Sequence, residues 1–325
     1  FTDKYWLVAL IPNQKITSYT SFSGQENGKV FRCQLEYAEQ TLKAGQTLEQ
    51  AQSAFSGAKV LRLLDSYEQK LGFDRFDLAV DFGWFYFLTK PLFYALEFFH
   101  HLLGNLGLAI LVLTILVKIL FFPLANKSFH SMARMKALGP KMEKIKERYA
   151  HDKVRMNQEL MEFYRQEKVN PLSGCLPMLI QAPIFFCLYK VFFVTIEMRH
   201  APFYGWIHDL SSPDPTSVFN LFGLIPWDPP AFLMIGLWPL LMGATMLLQQ
   251  RLSPQPADPA QAKMMLIMPI MFTYLFASFP AGLVIYWAWS NVLSIAQQWF
   301  ITRRAERESL VEVLPPKSKT SKRKR

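Results

Sequence analysis

Lys118 stands inside residues 105–124, NLGLAILVLTILVKILFFPL, an apolar run of the length that spans a bilayer. About 20 such residues cover the ~30 Å hydrocarbon core. An ammonium placed there costs ~2.5 kcal/mol or more on insertion scales, so its presence calls for a reason. Thr114 lies one turn earlier on the same helical face. Near the end of the chain Ser290, Ser294 and Gln297 recur at i, i+4 and i+7, with Asn291 and Gln298 beside them, and Gln181 interrupts another apolar run. Lys118, Thr114, Gln181, Ser290 and Asn291 could therefore line one hydrated cavity. The apolar runs contain no Asp or Glu to neutralise Lys118, which leaves water inside the protein as its natural partner. Two plainer readings stand beside this one. A lysine near the end of its span can snorkel to the headgroups, and Ser, Asn and Gln commonly tie helices together by hydrogen bonds.

Five candidate spans would position these residues: 105–124, 172–194, 231–249, 264–279 and 282–301. Only Pro280-Ala281 parts the last two, which makes them a tight helical hairpin. The run 264–279 is short for a span, so its ends should meet a thin or wet region. Lys and Arg in the connecting segments set the orientation. Residues 125–171 carry eleven of them, Arg134, Lys136, Lys141, Lys144 and Arg148 included. The tail from residue 302 ends on Lys322, Arg323, Lys324 and Arg325. The connection 195–230 holds one, Arg199, against Glu197, Asp209, Asp214 and Asp228. Five spans put every basic segment on the cytoplasmic side and the acidic loop outside.

Residues 82–103, aromatic and broken by Pro91, carry Lys90, Glu97, His100 and His101. That mixture predicts a helix lying in the membrane interface rather than a span. The two histidines are adjacent and so point to different faces, which argues against a metal site. Residues 125–170 read as a helical hairpin. Met132, Met135, Leu138, Met142, Ile145 and Tyr149 form one seam, Met156, Leu160 and Phe163 the returning stripe, and residues 150–152 the turn. Its basic outer face is either a solvated surface that only sets topology or a platform for a polyanion.

The first 80 or so residues are the soluble part. Residues 5–11 and 29–37 read as strands and 24–28 as a turn. Residues 47–55 and 58–71 read as helices, the first opened by a capping box of Thr47 and Gln50, the second ended by Gly72. The chain opens on Phe-Thr-Asp-Lys, as though inside a domain, so upstream sequence is expected. Hydrophobic residues make up 51% of the chain, which with positive mean hydropathy indicates a polytopic membrane protein carrying soluble parts. Three cysteines give no disulfide framework. Catalysis finds little support: G-x-S-x-G, H-E-x-x-H and paired intramembrane carboxylates are all missing from the sequence. An anion channel using Lys118, or a membrane hydrolase using His208 or His101, remain as other classes. No cofactor or metal is expected.

Several long segments carry a resemblance: VDFGWFYFLTKPLF, FFPLANKSFHSMARMKALGPKMEKIKERY, EKVNPLSGCLPMLIQAPIFFCLY, APFYGWIHDLS and FPAGLVIYWAWSNVLSIAQQ. They are similar to the YidC/Oxa/Alb family of membrane-protein insertases over residues 75–305. The resemblance implies a mainly α membrane protein in which 1–80 is the C-terminal part of a β-rich periplasmic domain and 81–104 an interfacial helix. Residues 105–301 would form a five-span insertase core with a cytoplasmic hairpin at 125–170, and 302–325 a basic cytoplasmic tail. It places the chain in the bacterial inner membrane as a non-enzymatic insertase and chaperone, working alone or with the Sec translocon. Its groove would be open to cytoplasm and lipid. The family's groove arginine falls on Lys118, which keeps the charge but loses the bidentate fork. Thr114 matches a polar groove position, and Tyr286 and Trp287 fall where aromatics contact substrate. The implied partners are nascent membrane proteins, the ribosome, the Sec translocon, the signal recognition particle receptor and the bilayer. Arg134, Lys136, Lys141, Lys144, Arg148 and Lys322 to Arg325 would meet ribosome or targeting factors.

Overall fold

A computed structural model describes residues 1–13, 16–24, 31–170, 176–227, 229–230, 233–253 and 259–313. The chain begins with four strands, β1 (Trp6–Ile11), β2 (Ser18–Gly24), β3 (Phe31–Tyr37) and β4 (Ser53–Ala58). They form two antiparallel pairs. β1 lies against β4 with Trp6 opposite Ala58, and β2 against β3 with Ser18 opposite Tyr37.

The helix expected at 47–55 is not there. Residues 47–52 are irregular and Ser53 to Ala58 are strand, with Ser53 opposite Ile11. The capping-box spelling is a local preference, and pairing with β1 overrides it. Phe55 on β4 packs edge-on against Tyr67 and Phe76, so the strand joins the body of the protein through an aromatic contact. The second expected helix is α1 (Leu61–Leu71), and Gly72 ends it in the left-handed region at φ 69° by donating to the Glu68 carbonyl.

Further α-helices follow among the described residues. They are α2 (Tyr86–Leu103), α3 (Leu106–Leu120), α4 (Phe122–Ala137), α5 (Gly139–Arg148), α6 (Lys153–Gln166), α7 (Leu176–Val194), α8 (Leu237–Leu252), α9 (Pro259–Phe276) and α10 (Ala281–Val313). α10 is the axis of the bundle. Its residues 281–286 are all buried, and it packs on α3, α4, α7 and α8. One hydrophobic core links α2, α3, α7 and α10 and reaches back to Leu61 and Leu64 of α1.

Residues 105–124 do not form one straight helix. α3 stops at Leu120 and α4 starts at Phe122 with Pro123 in its first turn, and the two helices meet at 69°. Proline has no N–H to continue the helix but suits a helix start. At 15 residues α3 is ~22 Å long, less than the hydrocarbon core. Among the described residues no single helix is both long and apolar enough to cross a bilayer; α3 and α4 pass that test only together.

The basic segment is divided as well. α4 gives way at Leu138 to α5, whose first turn holds Pro140, and α6 returns alongside α5. Met135, Met142, Leu160, Tyr164 and Val169 are its small core, with Leu138, Ile145, Met156 and Phe163 against it. Met132 leaves the expected seam and packs with Phe129 on Ile301 of α10 instead. α10 continues as helix to Val313, past the end expected at 301.

Two anchors fix the acidic side. The Asp214 carboxylate accepts from Trp206 Nε1, Thr216 N and Trp238 N, the last in the first turn of α8. Ala281 N and Gly282 N, at the start of α10, donate to the carbonyls of Ser212 and Leu210. One loop thus satisfies orphan N–H groups of both helices. A second anchor ties α1 to α2. Lys90 Nζ lies 3.0 Å from Asp65 and 2.6 Å from Asp77, and Tyr94 and Tyr86 donate to the same two carboxylates. Asp65, Glu68 and Asp77 cluster in a way that could suit a cation, but the ammonium of Lys90 already meets two of the three.

Candidate functional site: a lysine among polar side chains

Lys118 lies in the last turn of α3, just before the bend. Carbonyls at a helix C-terminus favour a cation by ~0.3–1 kcal/mol. Its ammonium turns inward. Nζ donates to Ser294 Oγ on α10 at 2.8 Å and to Gln181 Oε1 on α7 at 3.4 Å. Gln181 Nε2 in turn donates to the hydroxyl of Tyr286 on α10. Three helices therefore meet at one half-buried charge. Among the described residues no carboxylate pairs with it. Both of these partners are neutral dipoles, so the positive charge is solvated without being cancelled. Snorkelling is not how this side chain is placed.

Further along α10 the same face stays polar. Gln297 Nε2 and Gln298 Oε1, three and four residues past Ser294, are buried and have no protein partner among the described residues. An unmet buried polar atom costs ~1–3 kcal/mol unless water or a ligand satisfies it. The stripe thus retains capacity to hydrogen-bond something other than the protein.

The remaining groove candidates divide. Thr114 is buried and donates to the Ile110 carbonyl of its own helix at 2.7 Å, so it faces the core one turn from Lys118 without touching it. Asn291 donates to Thr245 on α8 at 3.2 Å, the interhelical tie that such residues commonly form. Ser290 is buried nearby on α10. Trp287 packs against Phe185, Phe272 and Phe276, an aromatic wall between α7 and α9. Lys118, Gln181 and Tyr286 are brought together; Thr114, Trp287 and Asn291 surround them without joining. Ser294, the closest partner of Lys118, was legible in the stripe, but no sequence signal ties it to that lysine.

Arg134 and Lys136 on α4 and Lys141, Lys144 and Arg148 on α5 are exposed, with Lys141 paired to Glu167 at 3.0 Å. Lys322, Arg323, Lys324 and Arg325 lie outside the described residues. His208 is exposed in the acidic loop, and its neighbour Asp209 is a loop anchor. Partial burial pushes the Asp209 carboxyl up, but hydrogen bonds from Ser211, Ser212 and the His200 N–H together hold it below its ordinary value.

Comparison with known proteins sets this geometry in a family. Residues 98–308 match the family described as 60Kd inner membrane protein, and residues 1–95 match the YidC periplasmic domain. The chain is 54% identical over 304 residues to a protein of Rickettsia canadensis (strain McKiel) named membrane protein insertase YidC, covering 93% of this chain and 54% of that one. It is 55% identical over 306 residues to the protein of the same name from Methylobacterium nodulans, covering 93% and 50%. The chain thus spans about half the length of the curated relatives it matches. A crystal structure described as active YidC insertase with the first transmembrane domain resolved shares the fold, with a TM-score of 0.51 and 22% identity over 90% of this chain and 63% of that one.

Proposed function

The chain belongs to the 60Kd inner membrane protein family, and from that premise we propose that it inserts nascent proteins into the bacterial inner membrane through the polar cluster around Lys118. In this reading α3, α7, α8, α9 and α10 cross the bilayer, α2 lies in its outer interface, and the strands stand in the periplasm. α4, α5, α6 and the basic tail face the cytoplasm.

The observation that carries the proposal is the state of Lys118: a cation in an apolar bundle, held by neutral groups. Such a charge still attracts an acidic segment. Gln181, Ser294 and the unpartnered Gln297 Nε2 and Gln298 Oε1 can hydrogen-bond the backbone of an entering chain. That offsets the several kcal/mol each unsatisfied polar group costs in hydrocarbon. An adjoining hydrophobic segment then leaves sideways into lipid, driven by ~25 cal/mol per Å² of apolar surface. The membrane potential adds ~2.3 kcal/mol per 100 mV for each negative charge moved outward. No step in this scheme draws on a nucleotide or metal.

The exposed basic residues of α4 and α5, with Lys322, Arg323, Lys324 and Arg325, suit ribosomal RNA or an acidic targeting factor such as the signal recognition particle receptor. Contacts of this kind weaken steeply with salt. The Sec translocon is a further partner that the same reading brings.

Site-specific photocrosslinking tests it. A photoreactive residue replaces Gln181, inside the cluster, or Leu116, exposed on the outer side of α3. The target is a ribosome-stalled chain with one hydrophobic segment and an acidic flank. Adducts from position 181 that exceed those from 116 are expected. Adducts from 116 alone, with the ribosome bound, would place the client on the lipid face and remove the polar cluster from the path.

A further inference from the structure

The connection between α7 and α8 changes character halfway. Up to Asp214 it is acidic and anchored, whereas residues 215–227, PTSVFNLFGLIPW, carry no charged side chain. The end of that stretch is not packed away. Phe219, Leu221, Phe222, Leu224, Ile225 and Trp227 are all exposed, Leu224 at 83%. Single apolar side chains on a surface are ordinary, but so many within 219–227 make a patch, and such patches mark a contact.

The backbone holds this patch out. Leu221 and Phe222 lie consecutively in the left-handed region, at φ 50° and 58°. Side chains of this size rarely adopt that conformation, and where they do it points to a use. The loop closes on itself: Phe222 N donates to the Ser217 carbonyl at 2.8 Å, Ile225 N to the Asn220 carbonyl at 3.1 Å and Trp227 N to the Ile225 carbonyl at 2.8 Å. Its base is tied to the entry of α8. Val218 N donates to the Ile235 carbonyl at 3.2 Å, and Ser217 Oγ to the Leu233 carbonyl at 3.1 Å. The patch therefore stands on a fixed base at the start of a helix whose own Leu241 is exposed.

We propose that residues 219–227 dip into the outer leaflet and rest where headgroups meet acyl chains. Lipid suits this loop better than a protein partner does. A protein interface carries a polar rim that sets register, and this stretch has no charge to build one. N–H groups of the loop already pair within it, a condition for backbone that enters an apolar phase. Trp227, at the end of the patch, is the residue type that settles at headgroup level. The apolar face of α8 continues the patch into the bilayer, so the loop would fix the depth of that helix. The inference rests on the membrane placement proposed above.

The test uses the full chain in vesicles of phosphatidylethanolamine and phosphatidylglycerol. Benzoylphenylalanine replaces Leu224, Phe222, Leu116 on the outer side of α3, or Phe22, exposed on β2, one at a time. After irradiation, mass spectrometry reads lipid adducts. Positions 224, 222 and 116 should give them, and position 22 should not. With Leu224→Glu added, adducts from 222 should be lost and those from 116 kept. Adducts from 116 but not from 224 or 222 overturn the proposal and leave the membrane reading intact. No adduct from 116 contradicts the membrane placement and the loop with it. Adducts from 22 as strong as from 224, links between two copies of the chain from 224, or adducts from 222 undiminished by Leu224→Glu would each overturn the lipid assignment.

Discussion

Lys118 on α3 and Ser294 on α10 are 176 positions apart in the chain, and their side chains meet at 2.8 Å. The contact gives the ammonium a dipole without giving it a counter-charge. A buried ion pair would hold both charges against each other. A lysine solvated by Ser294 and Gln181 keeps its field available to whatever enters.

The link from Gln181 to Tyr286 supports that arrangement. Tyr286→Phe removes the hydroxyl that receives Gln181 Nε2. Leaving Nε2 without that partner in the bundle should lower stability by ~1–3 kcal/mol. Thermal unfolding in detergent should show a lower Tm for Tyr286→Phe. An unchanged Tm would mean that the amide finds another partner.

Close packing of α3 against the acidic loop gives a second prediction. A Cβ on Gly107 would run into the ring of Phe203. The ring packs in turn against Trp238, so moving it aside disturbs that contact too. Gly107→Ala should therefore cost ~1–3 kcal/mol, as overpacked cores do. In the double variant with Phe203→Ala the two effects should be clearly non-additive. Strict additivity would show that the two residues do not meet.

Two carboxyls outside the spans make stability depend on pH with opposite signs. Hydrogen bonds hold Asp209 below its ordinary 3.8 despite partial burial. Its contribution is therefore present above ~3.8 and lost as pH falls through the folded value. Asp209→Asn should flatten this acid limb in a pH series of Tm values.

Glu197 runs the other way. Burial pushes its carboxyl above 4.5, and the nearby Glu97 charge adds to this, against backbone hydrogen bonds at Glu197 and Leu61 that lower it only in part. The folded state holds this proton more tightly, so stability falls as pH rises from 4.5 through the folded value. Glu197→Gln should raise Tm at neutral pH and leave it nearly unchanged at ~pH 4. A Tm lowered at neutral pH would show that the charged form is needed.

Much of this was legible in the sequence, and what was not has definite physical causes. Residues 58–71, with Gly72 as terminator, announce α1 because helix-ending chemistry is local. Residues 47–55 mislead because the partner that turns 53–58 into strand, β1, lies 42 to 52 positions away, from Ile11 opposite Ser53 to Trp6 opposite Ala58. The run 105–124 hides its bend because hydropathy registers Pro123 as one apolar residue more, whereas the backbone registers a missing N–H. The polar stripe of α10 is visible as a pattern. Which of its members meets Lys118 is set by how α3 and α10 rotate against each other. That rotation delivers Ser294 to the lysine, while Asn291 reaches Thr245 on α8 and Thr114 turns back to the Ile110 carbonyl of its own helix.

The most direct test is the insertion of a client with one hydrophobic segment and a short acidic outer flank. Vesicles would carry wild type, Lys118→Met or Lys118→Arg. Methionine keeps the packing volume of the stem and removes the charge. Insertion should fall at least ~tenfold with Lys118→Met, since losing ~1.4 kcal/mol of attraction suffices, and Lys118→Arg should remain active. Wild-type insertion by Lys118→Met, from a chain with unaltered Tm, would contradict a role for the uncancelled charge in drawing the client in.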